Sequence, residues 1–231
     1  FFASDRLLLC RDAGPADSAD GLLRVSCSHP AVLEQLHPGN AIWFDDGKIG
    51  ALVEHTDVQC LQLRVTHARP SGVKLRDDKG INFPDTHLDL PCLTEKDVAD
   101  LDFVCKYADM VGFSFVQSAR DMQTLMKALE ERDAKNLSII AKIETKVAVK
   151  NLPEIIFSAI PYYRLGVMIA RGDLAVELGG DRMAEIQEEL LWLCEAAHVP
   201  VIWATQVLEN MTKKGVSTRP ELTDAAMSGR A

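Results

Sequence analysis

From Pro84 onward the chain alternates short, near-continuous apolar runs with amphipathic stretches, and that alternation leaves few folds open. The runs at 110–115, 137–143, 165–170 and 199–204 read as buried strands. A parallel strand covered by helices on both faces needs no polar side. Between them, 94–107, 119–132, 147–157 and 182–197 read as helices, with shorter helical stretches near 206–213 and 221–227. Thr94 is a good helix N-cap, with Asp97 supplying an acid in the first turn. Repeated βα units of roughly thirty residues imply a doubly wound sheet or a (β/α)8 barrel. Only about four such strands are visible, and a closed barrel needs about eight.

The first 84 residues have a different texture. Segments 6–10, 22–27, 41–44, 49–54 and 58–65 are short β-branched or apolar runs separated by turn residues, and read as strands. Asp45-Asp46-Gly47 between two of them is a hairpin signal, because Gly accepts the positive φ that tight turns need. A short helical turn is expected at 30–36. The expectation is therefore a small antiparallel barrel or sandwich over 1–84, followed by an α/β domain over 85–231.

Bulk properties narrow the function classes. The 231 residues can bury a core, and 47% apolar with 26% charged residues is ordinary for a globular chain. A net charge of -9 argues against nucleic-acid binding through the overall field, but not against a small anion held by local cations. No apolar run reaches the roughly 18 residues of a membrane span, and the opening residues do not read as a signal peptide. The six cysteines are scattered without a Cys-x-x-Cys pair, which predicts free thiols in a cytoplasmic protein and no zinc site.

Three consecutive strands end in polar residues at the edge where parallel α/β sheets bind ligands. Lys142 and Glu144 are two apart, hence on one face of their strand. The next strand runs into Arg171-Gly172-Asp173, and the one after it into Thr205-Gln206. Two carboxylates on neighbouring strands suit one hard divalent cation, Mg2+ or Mn2+, that takes its other oxygens from a substrate. A lysine beside them offers a point charge to a phosphoryl group. Gly172 lets backbone N–H groups approach an anion. Each member also has a plain reading: a solvated Lys–Glu pair, Asp173 capping a helix, Thr205 doing the same.

Lys142-Ile143-Glu144, the run from Gly166 to Glu177 and Ala204-Thr205-Gln206-Val207-Leu208-Glu209-Asn210-Met211 resemble successive motifs of the pyruvate kinase family, in order and spacing. Asp45-Asp46-Gly47-Lys48-Ile49, Lys79-Gly80-Ile81-Asn82-Phe83-Pro84 and Leu93-Thr94-Glu95-Lys96-Asp97-Val98 look like the family's cap domain, its return to the barrel and the helix after it. Ser114-Phe115-Val116 and Thr218-Arg219-Pro220-Glu221-Leu222-Thr223-Asp224 are similar to two further family motifs. The resemblance implies a small all-β cap on a partial (β/α)8 TIM-type barrel, moving phosphoryl from phosphoenolpyruvate to ADP to give pyruvate and ATP. It implies that Glu144 and Asp173 ligate Mg2+ and that Lys142 stabilises the phosphoryl group. The Gly172 and Asp173 N–H groups and the Thr205 hydroxyl would hold the substrate carboxylate, with Thr205 near the protonation path and Ser114 at the substrate. Asp46 or Asp45 would face the cleft beneath a mobile cap, unless the pair serves only its turn. A homo-oligomer is also implied.

The sequence departs from the family in places. Nothing matches the family's first three barrel strands, which carry a substrate-binding Arg and the ligands of K+, or its last strand and C-terminal domain. The reading is of a fragment. Ala175 stands where the family usually has Gly, and Met227 where Asn is typical. Two rivals stay open: a metal-dependent aldolase or lyase acting on pyruvate enolates, and a non-catalytic phosphoenolpyruvate or nucleotide sensor, which the missing Arg favours.

Overall fold

A computed structural model describes residues 1–12, 21–86 and 88–231. The chain divides into two compact units, Phe1–Leu90 and Pro91–Ala231.

The first unit carries strands β1 (Arg6–Cys10), β2 (Leu23–Ser26), β3 (Ala41–Phe44), β4 (Ile49–Thr56), β5 (Cys60–His67) and β6 (Ile81–Asn82), with a 3-10 helix at Pro30–Gln35. They form one six-stranded sheet in the order β2-β1-β5-β4-β3-β6. Alternation decides its buried face: Leu7 and Leu9, Ile42 and Phe44, Leu61, Leu63 and Val65 point into one core with Val32, Leu33 and Leu36. Gly50 lies opposite Trp43 in the β3–β4 hairpin, and a Cβ there would meet the indole at 2.7 Å, so only glycine lets the ring lie flat over the strand.

Two expectations fail here. The sheet is mixed rather than antiparallel, because β2 runs parallel to β1. The six cysteines are not all free: Cys10 and Cys60 face each other in the antiparallel β1–β5 register and are joined as a disulfide. Cys27, Cys92, Cys105 and Cys194 are the free ones. Scattered spacing in sequence hid a pair that strand register puts side by side.

The second unit is built from α1 (Glu95–Tyr107), β7 (Met110–Phe113), α2 (Ala119–Glu130), β8 (Ser138–Ile143), α3 (Lys146–Ala159), β9 (Leu165–Ala170), α4 (Arg171–Leu178), α5 (Met183–Ala196), β10 (Val201–Ala204), α6 (Glu209–Lys214) and α7 (Arg219–Ser228). The four strands are all parallel, in the order β10-β9-β8-β7. Capping boxes start α1 (Thr94 with Asp97), α2 (Ser118 with Asp121) and α7 (Thr218 with Glu221).

One sheet face is dry. Ile139, Ala141, Ile143, Val167 and Ile169 are fully buried in a core shared with Met122, Leu125, Leu152, Ile155 and Leu190 of the helices. The opposite face is not sealed: Met110 is 60% and Ile202 43% exposed. Along that face the register sets Lys142 beside Met168 and Met168 beside Ile202. In the row below, Gly166 opposes Ile140, and a Cβ on Gly166 would lie 2.7 Å from the Ile140 Cδ1. So the face that continues upward into Lys142 is partly open, and not apolar-covered as continuous hydrophobic strands imply. No described helix is long and apolar enough to cross a membrane.

Candidate active site

β8 places Lys142 one residue before its end, and Glu144 follows immediately beyond it. The two side chains meet: Lys142 Nζ lies 2.7 Å from Glu144 Oε1. Lys142 also donates to Ser114 Oγ at 2.7 Å, which ties β8 to the turn after β7. The other carboxylate oxygen of Glu144 accepts the Phe115 N–H at 2.5 Å. Phe115 has φ +53, an unusual value for an aromatic residue, in the turn that presents this N–H to the carboxylate. Glu144 is 2% exposed, so these partners offset the desolvation of a buried charge.

β9 passes without a break into α4, with Ala170 as N-cap and no side-chain cap hydrogen bond. Arg171, Gly172 and Asp173 are therefore the first turn of a helix that directly follows a strand. Asp173 is inside this turn and is not the N-cap, which removes its plain reading as a cap.

Thr205 follows β10 with φ +64, and Gln206 and Leu208 have φ +55 each. The N-cap of α6 is Leu208, so Thr205 is no cap either. The Thr205 Oγ1 stands 4.0 Å from the place a Cβ on Gly172 would take. Lys142, Glu144, Ser114, Gly172, Asp173 and Thr205 thus all follow or end neighbouring strands at one carboxyl edge. Lys142, Glu144 and Ser114 are brought into direct contact, and Thr205 comes next to Gly172.

Several participants were not visible as such in the sequence. The Arg171 guanidinium donates from Nε to the Ala204 carbonyl at 2.8 Å, from Nη2 to the Thr205 carbonyl and from Nη1 to Asp224 Oδ1. It also lies over the Trp203 ring, 4.9 Å from its centroid. Glu221 accepts from the Thr218 N–H at 2.8 Å and the Asn210 N–H at 2.5 Å, and these donors hold its carboxyl below the usual range. Arg171 and Asp224 both lie in motifs that stand out in the sequence, yet spacing alone assigns neither a partner.

In the β-rich unit the turn residues separate. Asp45 is buried and bridges Lys48 at 2.9 Å and Lys79 at 3.2 Å, and those lysines hold its carboxyl below the usual range. Asp46, with φ +54, is exposed at the turn.

No group of three or more His, Cys, Asp or Glu residues among those described could hold a metal alone. What the edge offers is two carboxylates, a set that suits a hard cation completed by substrate oxygens and water. Each Glu144 oxygen keeps a second lone pair beyond its present partner. In donor type, the Glu144 carboxylate suits such an ion.

A family model described as "Pyruvate kinase, barrel domain" matches residues 3–228. The chain is 37% identical over 204 residues to a pyruvate kinase of Geobacillus stearothermophilus, covering 88% of this chain and 34% of that protein. It is 36% identical over 204 residues to a pyruvate kinase of Clostridium acetobutylicum, covering 88% of this chain and 41% of that one. For a pyruvate kinase of Leishmania mexicana the identity is 38% over 193 residues, covering 83% and 37%. The matched stretch spans between 34% and 41% of these curated relatives, and the family model takes in every strand-end residue described above. This chain belongs to the pyruvate kinase family.

Proposed function

We propose that this chain is the cap and central barrel portion of a phosphotransferase that moves phosphoryl from phosphoenolpyruvate to ADP. The observation that carries the reading is the Lys142–Glu144 contact braced by Ser114. A buried carboxylate and a cation at a strand edge are the charges a phosphoryl transfer requires side by side.

In the reaction the bond from phosphorus to the enol oxygen breaks, one to a β-phosphate oxygen of ADP forms, and the enolate takes a proton at carbon to become pyruvate. Lys142 meets the negative charge of the phosphoryl group in flight, with Ser114 fixing the direction of its ammonium. Glu144 and Asp173 would hold Mg2+ or Mn2+. When bound, that ion supplies positive charge to the phosphoryl oxygens. The N–H groups of Gly172 and Asp173, in the first turn of α4, would receive the substrate carboxylate with the Thr205 hydroxyl. Thr205 would hold a proton near the enolate. K+ is a further candidate ion for which, as for the substrate Arg, this chain carries no match to the family's residues, and Asp46 serves the cap. On family membership alone, since a chain with Cys10 and Cys60 joined is not one of free thiols, we place the protein in the cytoplasm, as a homo-oligomer with small-molecule partners, ADP and phosphoenolpyruvate, and neither nucleic acid nor membrane.

The test is ADP-dependent consumption of phosphoenolpyruvate by the full-length protein, compared with Lys142→Met. Turnover is expected to fall by about a thousandfold or more in the variant, as for loss of a transition-state charge. Turnover unchanged by the substitution would overturn the role of Lys142. Consumption of phosphoenolpyruvate without ADP would favour the aldolase or lyase reading, and binding without consumption the sensor.

A further inference from the structure

We propose that Arg171 and Asp224 are a positioning pair that holds Thr205 in its left-handed turn and so keeps its hydroxyl beside Gly172. The effect on turnover rests on the phosphotransferase reading above; the geometry does not.

Thr205 is β-branched, and β-branched residues disfavour positive φ more than most. With Gln206 and Leu208 also left-handed, the segment after β10 does not hold this shape by local preference. Residues in such conformations persist where their surroundings over-determine them. The surroundings here are specific. Successive residues of an extended strand face alternate ways, so one side chain cannot ordinarily reach two consecutive carbonyls. Arg171 reaches those of Ala204 and Thr205 together, which requires the chain to turn at Thr205. The third edge of the guanidinium is taken by Asp224, and its face by Trp203. A planar fork with five donors can satisfy this set; the point charge of a lysine cannot.

The far end of the same segment is held from the same helix. Glu221, three residues before Asp224 and so on its face of α7, accepts the Asn210 N–H at 2.5 Å. Residues 205–209 therefore lie between two anchors that α7 provides. Arg171 precedes Gly172 directly, so the residue that sets the shape of the Thr205 turn sits next to the backbone that Thr205 faces.

The experiment is a double-mutant cycle in the full-length protein with Arg171→Met, Thr205→Ala and both together. Arg171→Met is expected to lower kcat by about a hundredfold, the scale of a small misplacement of a reacting group. The double variant is expected to be no slower than the slower single one. Losses that multiply would mean that Arg171 does not act through Thr205, and would overturn the proposal. Asp224→Asn, a smaller disturbance, should lower kcat less and show the same non-additivity, and it carries the test if Arg171→Met does not fold. If the unaltered protein consumes no phosphoenolpyruvate with ADP, the phosphotransferase reading falls while the pair is still judged. Amide hydrogen exchange at 206–210 should then be faster in Arg171→Met while exchange in α3 stays unchanged. Unchanged exchange at 206–210 would overturn the pair.

Discussion

Glu144 is the residue on which the site's electrostatics turn. It is 2% exposed, and its two oxygens are shared between an ammonium and a backbone N–H. Removing one partner of a buried charge pair destabilises by about 3–5 kcal/mol, because the remaining ion has lost both water and counter-ion. Lys142→Met should therefore lower the melting temperature of the metal-free protein, and Mn2+ should raise it by more in the variant than in the unaltered protein. The cation then replaces the lost ammonium instead of competing with it. Differential scanning calorimetry checks the sign. With Mn2+ and phosphoenolpyruvate near a hundred times their Kd, the unaltered protein should gain roughly 5–10 °C, and Glu144→Gln should gain none. A gain preserved in Glu144→Gln would remove this residue from the proposed metal site. The Lys-x-Glu spacing made this pair legible in the sequence, because period two fixes the face of a strand. The Phe115 N–H was not legible: its role depends on a backbone angle that the side-chain pattern does not encode.

At the scale of elements, α7 is the piece whose work is least apparent from its composition. Its Thr218–Glu221 capping box does ordinary duty at its own N-terminus, but the same carboxylate also receives the Asn210 N–H at the start of α6. The N–H donors depress the Glu221 carboxyl, first that of Thr218 and then that of Asn210. A depressed carboxyl contributes stability above its unfolded pKa of about 4.3 and loses it as pH falls through the folded value. Protection of the Asn210 amide against exchange should accordingly weaken as pH is lowered below about 4. Glu221→Gln should show the weaker protection already at neutral pH, with less dependence on acid. Protection that is flat with pH in the unaltered protein would count against the contact. The capping signal of α1 could be read from Thr94 and Asp97, whereas α7, expected only near 221–227, begins two residues earlier behind a Thr218–Glu221 box of the same kind. The second acceptor role of Glu221 could not be read, since it needs the fold to bring residue 210 to it. Helix α4 was also hidden, although α5 was expected at 182–197, because α4 begins without the polar cap that marks other helix starts.

For the molecule as a whole, the two units differ in how much their sequences disclosed. In Pro91–Ala231 the order of strands in space is their order in the chain, so reading each βα step in turn recovers the sheet. In Phe1–Leu90 the strands other than the two-residue β6 could be found by alternation, but β1 lies between β2 and β5, a neighbour relation that no local pattern carries. The Cys10–Cys60 disulfide sits on that β1–β5 seam. Thiol titration of the denatured, unreduced protein should find four groups of the six cysteines; six would show the pair reduced. Denaturation is needed because burial raises the Cys194 thiol to about 11. Opening a loop of 50 residues should lower stability by about 4 kcal/mol, read as a lower melting temperature on reduction. The same strand orders also set a timetable. Each βα step of the second sheet closes a loop of roughly thirty residues, whereas the β1–β5 seam must bring together segments about fifty residues apart before any contact rewards it. From the reduced, unfolded chain, Pro91–Ala231 should therefore gain its structure first and the β-rich unit later, with pulse-labelled amides of β8 and β9 protected before those of β1 and β5.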